Sequence, residues 1–570
     1  MMSDWMLLSP VVVFLAAAGL MAVVPRRQLG WLTVATPLLS GWLAWHNLNV
    51  GASFSVDWMD HALVPVQADA LGLLMVGLFH LAALIGALFI APVADRWQHG
   101  AMLAYFAGGL GVVLAGDWIS FFVFFEIIAL SGSVLILARR DEVATASGVR
   151  YLLFQIGAGV TVLAGILTHA GQSGDWLVGP VALDGLAGVL LLVGFGIKAG
   201  FPLVHVWLVD AYPKASMAGL AVLVAVTTKV GVVALLRVFP GEAVLVPIGV
   251  VMALWPMAHV LTENNLRRLL AYSMMVQLGL MVVAIGVGTP TALDGVALHI
   301  VMDVLFKMTL FMAVALIWAQ FKTTDSDRLG GLAQHWPIVA GCVAVASLAN
   351  MAVPLTGAFI SKKLMLDAIE TSTLPGGLYW VLVSLSVLGL LYAWVRIFWR
   401  VFIAPAHRPT AHTPRPIAGI QQIALLIPVL ALLVTGLMPG WLDLIRPFGS
   451  TTDVFTSKKI IAQLLLLGGA GLVYALLARF GWGLPRQPVT RLIDAEVLYR
   501  WVLVEAPLAI RQAGLAVSQT MTRPLGQLAR WMAQPKWPLD HLGQSWSIGA
   551  MALWVGVIFA VLLVISVLNH

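Results

Sequence analysis

Five ionisable side chains, Glu126, Lys198, Lys229, Lys307 and Lys362, lie inside or against long apolar segments of the sequence. A charge in hydrocarbon is costly, and residues of this kind usually mark an ion path. The chemistry they suggest is proton or cation transfer. Glu126 sits in Phe121-Phe-Val-Phe-Phe-Glu126-Ile-Ile-Ala-Leu, apolar on both sides. A carboxylate in such a place is neutral when alone and ionised beside a cation. Lys198, in Gly194-Phe-Gly-Ile-Lys198-Ala-Gly-Phe-Pro202, is its natural partner. Approach or retreat of Glu126 would then decide whether Lys198 keeps its proton. A static ion pair is the alternative, and a weaker one, since a hydrophobic pair usually serves stability as well.

Lys229 follows Thr227 and Thr228 in an apolar helix and is placed to take a proton from Lys198 through water. In His299-Ile-Val-Met-Asp303-Val-Leu-Phe-Lys307, the spacing of four puts three titratable groups on one helix face, which makes a relay. A metal site is the rival there, but one His, one Asp and a Lys form a poor ligand set, so no metal is expected. Lys362 stands at the far end, with Lys363 expected to face solvent. His205 and Asp210 lie just after Pro202, where they are placed to gate access or to fix an unwound segment. His80 and His259 read as packing residues. No P-loop, dinucleotide fingerprint, zinc signature or nucleophile elbow is found, so no cofactor is expected.

The elements that must position these groups are set by composition. Of 570 residues, 61% are apolar and only 10% charged, a balance suited to lipid as solvent. Apolar runs of about 20 residues predict an all-α polytopic membrane protein with about 14 to 16 transmembrane helices. The runs extend from 5–24 to 548–568, and the first reads as a retained helix rather than a cleaved signal. The net charge of +6 does not point to nucleic acid, because the basic residues fall in short loops. Arg26 and Arg27, Arg139 and Arg140, Lys214, Arg267 and Arg268, Lys322 and Arg328, and Arg400 recur after alternate helices. By the positive-inside rule these ends face the cytoplasm of a bacterial-type inner membrane and both termini lie outside it. The single cysteine, Cys342, excludes an internal disulfide and reads as a small core residue.

Two segments place proline and glycine beside a lysine: Lys198 to Pro202, and Asn350-Met-Ala-Val-Pro354-Leu-Thr-Gly357-Ala-Phe-Ile-Ser-Lys362. Backbone hydrogen bonds must break at each. Paired broken helices are the signature of inverted repeats. The expected layout is N-terminal helices in 1–100, two inverted five-helix repeats in 101–240 and 241–403, and C-terminal helices in 404–478. An amphipathic segment follows in 479–547, then a last span in 548–570. The amphipathic segment reads as a helix lying on the membrane or on another protein of a complex, or equally as a connector with two short helices.

At these residues the chain resembles the antiporter-like subunits shared by multisubunit Mrp sodium/proton antiporters and respiratory complex I, most closely the D-type member of the Mrp set. The resemblance is carried by Lys198 through Trp207, Asp210 to Pro213, Thr228-Lys229, Glu126, Asn264-Asn-Leu-Arg-Arg-Leu-Leu-Ala-Tyr-Ser273, His299 to Lys307, and Gly357 to Lys362. It covers 100–405 well and the flanks weakly. It implies inverted repeats, a central hydrated axis and work inside a hetero-oligomeric membrane complex that moves protons and a monovalent cation. It assigns the paired acid and base to Glu126 and Lys198, the middle lysine to Lys229 and the terminal lysine to Lys362. Asp303 stands where members commonly carry a second histidine, and Pro202 comes one position early. A membrane-arm pumping subunit of complex I or a related hydrogenase is the alternative, and a structural subunit with an inactive channel is a second.

Overall fold

The computed structural model describes residues 9–58, 61–406 and 414–480. The chain divides into two units, 1–490 and 491–570, and the second lies outside the described residues. The expected amphipathic segment from 481 on and the final span at 548–570 therefore fall outside them as well.

The first unit is a bundle of apolar helices. In order these are α1 (Ser9–Leu20), α2 (Leu29–Asn47), α3 (Ala70–Ile90), α4 (Arg96–Leu114), α5 (Trp118–Leu137), α6 (Glu142–Ser173), α7 (Leu186–Ala199) and α8 (Val206–Ala211). They continue with α9 (Met217–Val222), α10 (Thr227–Val238), α11 (Leu245–Thr262), α12 (Leu266–Val287), α13 (Pro290–Phe321), α14 (Pro337–Asn350) and α15 (Gly357–Glu370). Last come α16 (Gly376–Trp394), α17 (Gly419–Leu437), α18 (Gly440–Asp443) and α19 (Ser457–Arg479). Among the described residues nine helices are long and apolar enough to cross a membrane, and three shorter apolar ones accompany them. A feature beyond the helical expectation is an antiparallel hairpin, β1 (Ser53–Trp58) with β2 (His61–Gln67). It is docked by Gly116 N–H on the Val64 carbonyl and Val64 N–H on Asp117 Oδ2.

Local chemistry explains where the helices start. Side chains of Asp69, Asp117, Asp141, Asn265 and Thr289 accept from the first free N–H groups of α3, α5, α6, α12 and α13. In a solvent without water those donors need such partners. Small residues let backbones meet: a Cβ on Gly279 would lie 2.6 Å from the Ala253 nitrogen, which brings α11 and α12 into close contact. α17 straps the bundle, with Gln421 donating to the Phe89 carbonyl on α3 and Thr435 donating to Met302 Sδ on α13.

Both expected helix breaks are present. α7 stops at Ala199, Gly200 turns left-handed at φ 84°, and the chain unwinds through Pro202 before α8. α14 stops at Asn350 and α15 restarts at Gly357, with Pro354 in the gap. Leu203, Ala352 and Leu355 hold positive φ in these gaps, a strained conformation that only surrounding packing maintains. A third interruption, at 223–226, separates α9 from α10 within the apolar stretch Met217–Val238. α16 continues into a π-helical stretch, Val395–Ile403.

Candidate proton-transfer axis

The lysine of the first break, Lys198, is the last basic residue of α7 and is fully buried. Its Nζ donates to the Phe125 carbonyl at 2.7 Å and lies 3.2 Å from the Phe125 ring centroid. The next residue, Glu126, is not in ion contact with it. Its carboxylate packs against Gly159 of α6, and Oε1 accepts no hydrogen bond from the protein. The expected Glu126 and Lys198 pair is thus adjacent but not joined. The reason is steric: the aromatic turn around Phe125 offers the ammonium both a carbonyl and a ring face, while Gly159 leaves a notch for the acid.

Lys229 is joined, but to Asp303. The two meet at 2.5 Å with both side chains fully removed from water. Neighbours on α13 turn to separate partners. Lys307 Nζ donates to Ser273 Oγ at 2.6 Å, while His299 bonds Ser361 Oγ at 3.0 Å and Gln277 Oε1 at 3.2 Å. Gln277 in turn donates to the carbonyl and side chain of Asn350, the last residue before the second break. Lys362, one residue from Ser361, is buried with no hydrogen-bond partner for Nζ. It lines a cavity with Phe359, Lys363 and Gln463.

Lys363 corrects an expectation. It does not face solvent but is half-buried in α15, paired with Asp367 at 2.9 Å, and Lys459 of α19 closes on the same carboxylate at 2.6 Å. Asp210 takes a fixing role: it accepts from Ser147 and lies 2.9 Å from Arg150, tying α8 to α6, and it receives Lys214 at 2.5 Å. Burial opposes ionisation of Asp210, but Lys214 and Arg150 outweigh it and hold the carboxyl below its ordinary range. His205 is buried in the turn before α8. His80, bonded to Ser40, and His259, stacked 4.4 Å from the Tyr272 ring, are packing residues. Among the described residues no group of three His, Cys, Asp or Glu could hold a metal ion.

Sequence reasoning missed Ser273, Gln277, Asn350 and Ser361, the polar groups that connect the charges. The spacing of four between Ser273 and Gln277 on α12 is the signal that could have found them. It also missed Tyr105, Tyr151 and Tyr212, which converge on the third helix interruption from distant parts of the chain.

The described residues thus form a polytopic helical bundle of membrane-protein type, with two lysine-bearing broken helices and buried charges. Residues 115–389 match the family described as NADH:quinone oxidoreductase/Mrp antiporter, TM. The N-type NADH-quinone oxidoreductase subunit of Desulforudis audaxviator (strain MP104C) is 31% identical over 392 residues, 62% of this chain and 76% of that one. The D-type Na(+)/H(+) antiporter subunit of Bacillus subtilis (strain 168) is 24% identical over 72% of this chain and 84% of its own length. A probable K(+)/H(+) antiporter subunit, of type A/B, from Rhizobium meliloti (strain 1021) is 29% identical over 70% of this chain, which spans only 44% of that protein. In structure the fold is similar to a chain of the Mrp complex from Dietzia sp. DQ12-45-1b, with TM-score 0.68, 22% identity, and 82% of this chain and 100% of that one covered. A chain of respiratory complex I from Thermus thermophilus gives TM-score 0.68 and 22% identity, over 81% of this chain and 100% of its own. The chain belongs to the NADH:quinone oxidoreductase/Mrp antiporter transmembrane family.

Proposed function

We propose that this chain is the proton-translocating subunit of a multisubunit cation/proton antiporter in a bacterial inner membrane. Protons move from Glu126 and Lys198 to Lys229 with Asp303, then by His299 and Lys307 to Lys362. One observation supports the reading: Lys198, Lys229, His299, Asp303, Lys307 and Lys362, on α7, α10, α13 and α15, are all buried. Glu126 Oε1, Asp303 Oδ1 and Lys362 Nζ are buried without a protein hydrogen-bond partner, and buried polar atoms demand partners of the kind that water supplies. Sodium is the proposed counter-ion, by likeness to the Bacillus subtilis relative. Other membrane subunits are the proposed partners, by likeness to the Mrp complex.

The test is proton flux in vesicles holding the assembled complex. Lys198→Ala and Glu126→Ala should abolish it, whereas unchanged flux with normal assembly rejects the transport role and favours a structural subunit. The second reading, membership of a redox-driven complex, is favoured by the Desulforudis audaxviator relative. Flux that requires a quinone and a reductant rather than a sodium gradient would select it.

A further inference from the structure

α9 and α10 would form one continuous helix, Met217–Val238, but for the interruption at 223–226, a 3-10 turn at Leu223–Ala225 followed by Val226. In an α-helix the Thr227 N–H donates to the Leu223 carbonyl. Here the Tyr105 hydroxyl of α4 stands between them, accepting from Thr227 N–H at 2.8 Å and donating to the Leu223 carbonyl at 2.9 Å. A side chain inserted into the ladder is a known cause of a kink. Tyr212 donates to the same carbonyl at 2.9 Å. Thr227 Oγ1 lies 2.6 Å from the Tyr105 hydroxyl and 3.1 Å from that of Tyr151. With every hydroxyl proton used once, Tyr151 donates to Thr227, Thr227 to Tyr105, and both Tyr105 and Tyr212 to the carbonyl. The series ends on a carbonyl, which takes a hydrogen bond but passes no proton on. It is a brace and not a wire.

The brace meets the charged axis at both ends. Thr227 lies two residues before Lys229, which holds Asp303 at 2.5 Å. On the other side, Tyr151 and Tyr212 pack edge-on against Trp207, with ring centroids 5.5 and 5.8 Å away. Trp207 Nε1 donates at 2.9 Å to the carbonyl of Ile197, the neighbour of Lys198. Both aromatic ends are buried, so a change at one is felt by packing at the other. The structure holds the segment kinked around Tyr105, and coupling between sites is carried by packed side chains and hydrogen-bond networks of this kind.

We propose that Tyr105 and Thr227 are positioning residues for proton transfer at Lys229. The inserted hydroxyl sets where Lys229 stands against Asp303, and Tyr151 with Trp207 ties that setting to the Lys198 end. The inference rests on the transport reading above, and the test separates the two. Sodium-driven and potassium-driven proton movement is measured across a pH series in everted vesicles carrying the assembled complex. The proteins compared are wild type, Lys229→Ala, Tyr105→Phe, Thr227→Val and Thr227→Ser. Tyr105→Phe and Thr227→Val should slow transport about tenfold, a typical size for coupling through a packed element. They should also move the pH of half-maximal rate, while Thr227→Ser, which keeps the hydroxyl, retains the wild-type profile. Loss of transport in Lys229→Ala together with an unchanged rate and profile in assembled Tyr105→Phe overturns the positioning role and leaves the transport reading standing. A wild-type rate in Lys229→Ala removes the transport reading, and the positioning role with it. Should Thr227→Val fail to assemble, amide exchange at Thr227 in Tyr105→Phe decides: altered protection supports the inserted hydroxyl, and unaltered protection overturns it.

Discussion

Lys229 and Asp303 illustrate how a charge survives in this interior. Removing one partner of a buried pair strands the other, at a cost of about 3 to 5 kcal/mol, whereas replacing both by apolar residues is often neutral. Asp303→Ala is therefore expected to lower the thermal midpoint of the purified complex sharply. Asp303→Leu combined with Lys229→Met should recover the midpoint without recovering proton flux; recovery of flux would show that the pair is structural. Glu126 makes a second residue-level case. A Cβ at position 159 would collide with its Oε1, so Gly159→Ala must displace the carboxylate. Flux should fall in Gly159→Ala while the complex still assembles, and an unaltered rate would argue that the resting place of Glu126 is immaterial.

Helices meet across backbone contacts that tolerate little. On α10, a Cβ at Gly231 would come within 2.6 Å of the Ala199 nitrogen at the end of α7, the turn that carries Lys198. Gly231→Ala forces these two elements apart, and overpacking of this kind costs about 1 to 3 kcal/mol. Thermal unfolding should show that loss, together with slowed transport, because the same contact sets the approach of Lys198 to Lys229. The junction of α6 and α8 depends instead on charge. Asp210 is held below its ordinary range by Lys214 and Arg150, so its contribution is present above the unfolded pKa and is lost only as pH falls through the lower folded value. The stability difference between wild type and Asp210→Asn should thus be constant between about pH 5 and 9 and shrink in stronger acid. Melting curves across that series check the sign.

Viewed whole, the bundle has two chemically distinct ends. Arg139, Arg267 and Lys322 surround the Trp318 ring at 4.8, 4.4 and 4.9 Å, and Arg400 pairs with Asp327 at 2.7 Å. The opposite end carries the hairpin and Asp117. With the basic end taken as cytoplasmic, a cysteine at Gly174 in a Cys342→Ser background should label from outside intact cells. One at Arg328 should label only after permeabilisation. The reverse pattern would invert the expected orientation.

Hydropathy alone determined the helical membrane fold, because in lipid the backbone must satisfy itself within each span. Glycine and proline beside Lys198 and Lys362 determined the two broken helices, since proline removes a donor wherever it falls. The isolated charges showed themselves by their scarcity. What sequence could not reveal is partnership. That Lys229 meets Asp303 while Lys198 turns to a carbonyl, that Lys363 is clasped by Asp367, and that two tyrosines gather on one threonine depend on contacts between residues far apart in the chain. The third interruption is the clearest instance. No proline or glycine lies within 223–226, and the helix yields there because a hydroxyl from α4 takes the place of its own hydrogen bond, a competition that exists only once the helices are packed.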